Sequence, residues 1–420
     1  MRSDLPPKIV TIGAAFSANK GAASMLQAVI DNVEIVLRGA RIVVLTTYPK
    51  QDRIENPNPG VEVVSLTPRE LVFPTFPLAI LMFSSRLFGY RGRVFARTRA
   101  LRELLDARVV ADLAGISFSD GRGIPTLIYN VLMTGVPLLV GSPVVKCAQA
   151  LGPFESLLNR LAARLVLPRV SEIVARGEGT LMNLSRLGLK KVTPGADLAF
   201  LMDVGEAAGV EALRVVEDLG GRPFICISPS SVLRGYCRRD GIDYVEHMAR
   251  ICDELVSSFD LDLVIIPHSA RPGRPESRMN DIPVCLEIAS AMKNGSRVTL
   301  VDRSISPAAL RSLIGHSVVL VTSRFHAMIS ALATSTPVVI LGWGHKYEEV
   351  LDSFGLKDWV IPYRALPDLD LTERVDRAIR YRDEIARQIA AHLPEVESQS
   401  AVSITALAHV VAQQARPVRE

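Results

Sequence analysis

Cysteine is scarce in this chain. Cys147, Cys226, Cys237, Cys252 and Cys285 are an odd, scattered set with no C-x-x-C pair. That spacing argues against a disulfide framework or a zinc site and favours a reducing compartment. Charge of one sign is also lacking: the net charge of +4 is small for the length and gives no reason to expect nucleic acid. No stretch of about 18 or more apolar residues runs uninterrupted, so a bilayer-spanning helix is not expected. The opening MRSDLPPKIVTIG puts charge and proline before a strand-like run, unlike a signal peptide, and a cytoplasmic protein is expected. The G-x-x-x-x-G-K-[ST], H-E-x-x-H and G-x-S-x-G motifs do not occur. Asp120 and Asp197 fall in no metal-ligand spacing, so no obligatory metal or cofactor is expected. No short-period repeat is visible.

What is present is apolar and ordered. Hydrophobic residues make up 48% and charged residues 22% of 420 positions, a globular composition long enough for two cores. Lys8–Gly13 reads as a buried strand, followed by the small-residue loop AAFSANKGAAS, a helix over 22–38 and strands at 41–46 and 61–66. This is a doubly wound, nucleotide-binding type of opening, in which Asn19 and Gly21 are small enough for a ligand to approach the backbone. A strand and loop over 108–123, a helix over 124–133, a strand over 136–141, a loop at KCAQALGPF, and a helix, strand and helix to 187 complete the first half. Residues 203–221 read as an acidic connection. The second half then alternates again, with PSSVLRGYCRRD as a long polar loop after the strand 223–228. The expectation is an α/β protein of two Rossmann-like domains facing a cleft. The first is 1–202, the connection 203–221, the second 222–370, and a helical tail fills 371–420.

Residues 71–102 break the alternation. Leu71–Ser85 carries no charge and is interrupted at Pro74 and Pro77; Arg86, Arg91, Arg93, Arg97, Arg99 and Arg102 follow. Two readings stand side by side: an apolar and basic surface that docks peripherally on the inner face of an anionic membrane, or a flap packed on the first domain.

The chemistry concentrates in 322–356. Ser323-Arg324-Phe325-His326 opens an apolar helix, Thr336-Pro337 breaks it, Val338–Leu341 is a buried strand, and Gly342-Trp343-Gly344 leads into His345 and Lys346. A helix start beside Arg324 and Lys346 suits an anion, and the imidazole of His326 suits proton transfer near neutral pH. Arg234 and His268 fall at other strand ends of the same half, and strand ends converge in a parallel sheet. Against this, a single arginine is usually a surface residue and a single histidine a structural one.

The stretch SRFHAMISALATSTPVVILGWGHKYEEVLDSFGL resembles the polysaccharide pyruvyl transferase family. Further matches are Asn19-Lys20-Gly21, Gln149 to Phe154, Ala175-Arg176-Gly177-Glu178, Ala196 to Phe200, Pro267-His268 and Asn280-Asp281. The resemblance implies a GT-B-like fold with an acceptor-side first domain and a donor-side second domain. It implies transfer of pyruvate from phosphoenolpyruvate, a co-substrate, to two hydroxyls of a sugar in a cell-surface polysaccharide or its lipid-linked precursor. His326 then acts as general acid/base. Arg324, Arg234 and Lys346 hold the donor's anionic groups, with His268 behind them, and Asn19 and Asp120 face the sugar, Asp120 accepting a hydroxyl proton. Gly177, where the family usually has Asp, and Ala22-Ala23, where an acidic residue is common, depart from the pattern on the acceptor side. A GT-B glycosyltransferase using a nucleotide sugar, and a non-catalytic glycan-binding or assembly protein of the same fold, remain the alternatives.

Overall fold

A computed structural model describes residues 6–17, 19–90, 92–271 and 279–415. The loop expected over 268–281 therefore lies partly, and Arg91 wholly, outside the described residues. The chain divides into two compact units. One holds residues 1–16, 25–201 and 397–420; the other holds 17–24 and 202–396. The expected connection 203–221 groups with the second unit, and the boundaries differ in two further places. The segment 17–24 joins the second unit, and the tail is shared, its residues to Val396 grouping with the second unit and those from Glu397 with the first.

The first unit is built on β1 (Lys8–Ile12), β2 (Arg41–Thr46), β3 (Glu62–Ser65), β4 (Val109–Asp112), β5 (Ile116–Ser117), β6 (Val144–Leu151), β7 (Glu172–Arg176) and β8 (Val192–Gly195). The order is β3-β2-β1-β4-β6-β7-β8, with β5 beside β6, and every pairing is parallel. The second unit is built on β9 (Phe224–Ser228), β10 (Asp262–Ile265), β11 (Val298–Leu300), β12 (Val319–Thr322), β13 (Val338–Gly342) and β14 (Val360–Pro362). These also pair only in parallel, in the order β11-β10-β9-β12-β13-β14. Both are Rossmann-like, and in the second sheet the order reverses between β9 and β12, the place where such sheets bind ligands. The apolar runs form the strands because both faces are covered by helices: Ile225, Ile227, Val319, Val321, Val339 and Leu341 are all buried.

Three local expectations are corrected. Residues 136–141 are not a strand but the end of a helix, Ile124–Val140, which contains Pro137 and stops at Gly141 with φ +83°. KCAQALGPF is not a loop; most of it is β6, whose Lys146 and Gln149 are polar yet fully buried. PSSVLRGYCRRD is mostly a helix, Ser231–Arg239, started by the Ser230 side chain accepting from the Leu233 amide. The connection 203–221 is largely a helix, Gly205–Asp218.

The prolines of 71–102 do not break the chain's helicity. Pro68–Leu87 runs as one helical stretch, with a wide turn at Leu71–Thr75 in which the Phe76 amide reaches back to the Leu71 carbonyl. That five-residue bond skips Pro74, which has no amide hydrogen to offer. At 20 residues and a mean hydropathy of 1.2 this helix is long and apolar enough to cross a membrane by length and composition. Leu71, Thr75, Ala79 and Met82 are nevertheless buried, while Phe73, Ile80, Leu81 and Phe83 are exposed.

Candidate functional site

The site grows from the ends of β9 and β12 in the second unit. Thr322 closes β12 and its hydroxyl donates to the Ser228 carbonyl at the end of β9 (2.9 Å). The next turn is held rigidly. The Ser323 carbonyl accepts from the Tyr347 hydroxyl (2.8 Å) and the Trp343 indole (3.3 Å), and the Ser323 hydroxyl meets that of Tyr244 at 3.2 Å. Burial pushes both phenols above their ordinary range, so they stay neutral.

Arg324 is therefore fixed as the residue before the helix Phe325–Ala333. Its guanidinium pairs with the buried carboxylate of Asp281 and donates to the Ser231 hydroxyl (3.1 Å); Asp281 also accepts from the Ser231 amide (2.9 Å). Asp281, which charge patterning alone did not mark, orients the cation.

His326 sits in the first turn of that helix, half-buried, with its ring edge-on to Phe325. It lies directly on Gly21. A Cβ at position 21 would stand 2.0 Å from His326 Nδ1, so only glycine fits there. Gly21 is positioned by Asn19, whose side-chain oxygen accepts from the Gly21 amide (3.0 Å) and whose backbone bridges to Ser269. Asn19 thus caps the start of the helix Lys20–Val36 and itself belongs to the second unit, not the first. Next to Ser269, His268 is fully buried. Burial, reinforced by the charges of His326, Arg324 and Lys20, pushes its imidazole down to about 3. It is a neutral group at physiological pH, not a member of a cationic set. Lys20, marked in the sequence only as part of Asn19-Lys20-Gly21, is buried on that side.

Lys346 lies over three rings: Trp343 (4.3 Å to the centroid), Phe325 (4.8 Å) and Tyr347 (5.2 Å). Trp343 in turn stacks on Tyr236 at 5.3 Å. The ammonium is held by aromatic faces. His345, beside it, is exposed. Arg234 has a different carboxylate partner from Arg324. It forms an exposed, two-pronged pair with Glu287 at 2.6 and 2.8 Å.

Asp120 belongs to the first unit, where its carboxylate accepts from the Glu155 amide (2.7 Å), the Ser156 amide (3.4 Å) and Asn159 (3.0 Å). Burial pushes the carboxyl up, but the bonds from Ser156, Glu155 and Asn159 outweigh it and hold the group below the usual carboxylate range. It anchors a loop, and a weakly basic carboxylate is a poor proton acceptor. The polar centre of this unit is instead a buried set that sequence pattern hid. Lys146 Nζ donates to Asp112 (2.6 Å), Gln149 donates to both Asp112 Oδ1 (2.8 Å) and the Asp112 carbonyl (2.6 Å), and Ser117 bonds Gln149 (2.7 Å). Three residues apart on a strand, Lys146 and Gln149 would point to opposite faces. An irregularity between them, with Ala148 at φ +37°, turns both to Asp112.

The parallel α/β units agree with what known proteins show. The pattern of the family described as polysaccharide pyruvyl transferase matches residues 19–345. The chain belongs to the polysaccharide pyruvyl transferase family. Membership makes it a transferase of polysaccharide biosynthesis, with a glycan as acceptor. A curated relative, the amylovoran biosynthesis protein AmsJ of Erwinia amylovora, is 22% identical over 91% of this chain and 94% of its own length. Among solved structures the chain is similar to a UDP-GlcNAc 2-epimerase from Neisseria meningitidis, with TM-score 0.60, 12% identity, and 95% and 99% of the two chains covered. It is also similar to an alpha,alpha-trehalose-phosphate synthase from Burkholderia vietnamiensis, with TM-score 0.55, 12% identity, and 100% and 99% covered. At these identities the likeness concerns the GT-B-like α/β fold. Gly177 starts the helix Glu178–Arg186 at φ +78°, a conformation in which an aspartate would be strained.

Proposed function

We propose that this family member transfers the pyruvyl group of phosphoenolpyruvate to two hydroxyls of one sugar in a polysaccharide or its lipid-linked precursor, forming a cyclic ketal. The observation that carries this reading is His326 seated on Gly21 at the helix start, beside Arg324. It is a proton carrier held where an anionic donor meets a guanidinium and the positive end of a helix.

In the proposed reaction His326 delivers a proton to the methylene carbon of the donor, so that positive charge develops at the adjoining carbon. A sugar hydroxyl oxygen bonds to that carbon, and the bond from it to the phosphate oxygen breaks. The second hydroxyl then closes the ring. One hydroxyl proton ends on the new methyl group through His326 and the other leaves with inorganic phosphate. Arg324 holds the carboxylate or phosphate through its fork, Lys346 supplies the second positive charge, and neutral His268 orients without adding charge. Asn19 acts by keeping Gly21 under the imidazole. Arg234, paired with Glu287, is not counted among the groups that hold the donor, and Asp120, bonded to its own loop, takes no proton-transfer role.

Incubation of the purified protein with phosphoenolpyruvate and glycan or lipid-linked glycan precursors tests the reading. The expected result is phosphate release with an acceptor mass gain of one pyruvic acid less one water. Release of a nucleoside diphosphate from a nucleotide sugar, without consumption of phosphoenolpyruvate, would replace it with glycosyl transfer.

A further inference from the structure

We propose that a face of the first unit formed by three neighbouring helices docks on the surface of an anionic lipid bilayer. The helices are Phe76–Leu87, Ile124–Val140 and Leu157–Val166. The first packs on the second and the second on the third. Their inner sides enter one core through Met82, Val136 and Ala163. Their outer sides stay apolar in contact with solvent. Just before the first helix Phe73 is 72% exposed, and within it Leu87 is 70% exposed; on the third, Leu158 and Leu161 are 57% and 53% exposed. Ile124 and Ile128 extend the same character onto the second helix. Scattered exposed leucines need no explanation, but a run of them over three adjacent helices does.

Charge selects the occupant. Across the three helices there is no aspartate or glutamate; the charged residues are Arg86, Arg160 and Arg164. Apolar helices whose own charges are all positive match a layer of acyl chains beneath anionic headgroups. The turn after the first helix presents Phe88 and Tyr90, both exposed, and aromatic rings of this kind favour the interfacial layer. The buried side of Pro68–Leu87 keeps that helix lying along the unit, so the contact is peripheral. The sequence pattern at 71–102 reaches only the first of the three helices. The other two join through the tertiary packing, and the inference stands independently of the pyruvyl-transfer reading.

Co-sedimentation of the full chain with vesicles of phosphatidylcholine, with and without phosphatidylglycerol, tests it at low and high salt. Two double variants accompany the wild type: Leu158→Gln with Leu161→Gln, and Arg160→Gln with Arg164→Gln. Thermal unfolding serves as the fold control. The wild type is expected to pellet with the anionic vesicles at low salt and to be released by high salt. The arginine pair should lower the partition coefficient by more than about tenfold, and the leucine pair should lower it with neutral and anionic lipid alike. Wild type remaining in the supernatant with anionic vesicles at low salt overturns the proposal, and so do two folded variants that pellet like the wild type. A dimer that the leucine pair dissociates, with no vesicle capture, also overturns it and makes the face a contact between copies of the chain.

Discussion

Gly21 lies so close beneath His326 that a single added methyl group would stand 2.0 Å from the ring nitrogen. The imidazole's position is therefore set by a residue 305 positions away in sequence (326 less 21), whose own place is set by the Asn19 cap. Gly21→Ala should displace the ring and lower turnover of phosphoenolpyruvate. His326→Ala should lower it by about a hundred- to ten-thousand-fold, the usual contribution of a general acid or base. Because both changes act on one group, the double variant should be no slower than His326→Ala alone. Steady-state phosphate release from the three variants measures this, and additive losses would separate the two residues.

Arg324 and Asp281 form the second coupled pair. Arg324→Lys keeps the charge but loses the fork, so the KM for phosphoenolpyruvate should rise with a smaller change in kcat. Asp281→Ala leaves the guanidinium with its buried partner removed, a loss of about 3–5 kcal/mol in comparable settings. Chemical denaturation followed by tryptophan fluorescence should show it, since Trp343 and Trp359 both lie in the second unit.

The depressed His268 carries a pH dependence. Its folded value is about 3 against an ordinary 6.5, because of burial and then the charges of His326, Arg324 and Lys20. Between those values the unfolded chain binds a proton that the folded chain refuses, so stability falls as pH falls through this window. The loss is about 1.4 kcal/mol per pH unit for this group. His268→Asn removes that contribution. The stability difference between wild type and variant, from urea midpoints at about pH 7.5 and about pH 5.5, should shift toward the variant in acid. A difference independent of pH would mean that His268 titrates normally.

In the first unit, Lys146→Met should destabilise strongly, by about 3–5 kcal/mol, because it strands the Asp112 carboxylate in the core. Pairing it with Asp112→Asn should recover much of the loss, since an amide carries no charge to leave uncompensated. Thermal unfolding of the single and double variants decides between this and a purely local packing defect.

The alternation of apolar runs with amphipathic helices determined by itself that the chain is α/β with two parallel sheets, because strands covered on both faces must be continuously apolar. It also marked Arg324 and His326, since a cation and an imidazole at the mouth of a buried helix are visible in a dozen residues. Where it failed, buried polar groups and helix-interrupting residues were the causes. β6 looked like a loop because Lys146 and Gln149 interrupt its apolar pattern, and their partner Asp112 lies on another strand. The helix Ile124–Val140 looked like a helix and a strand because Gly135 and Pro137 interrupt it, although surrounding packing carries it through. Only the tertiary structure decided that residues 17–24 belong with the second unit, that Gly21 seats His326, that Asp281 orients Arg324 and that Arg234 is spent on Glu287. Those are contacts between distant segments, and a chain's local pattern records which side chains want a partner but not which partner the fold will bring.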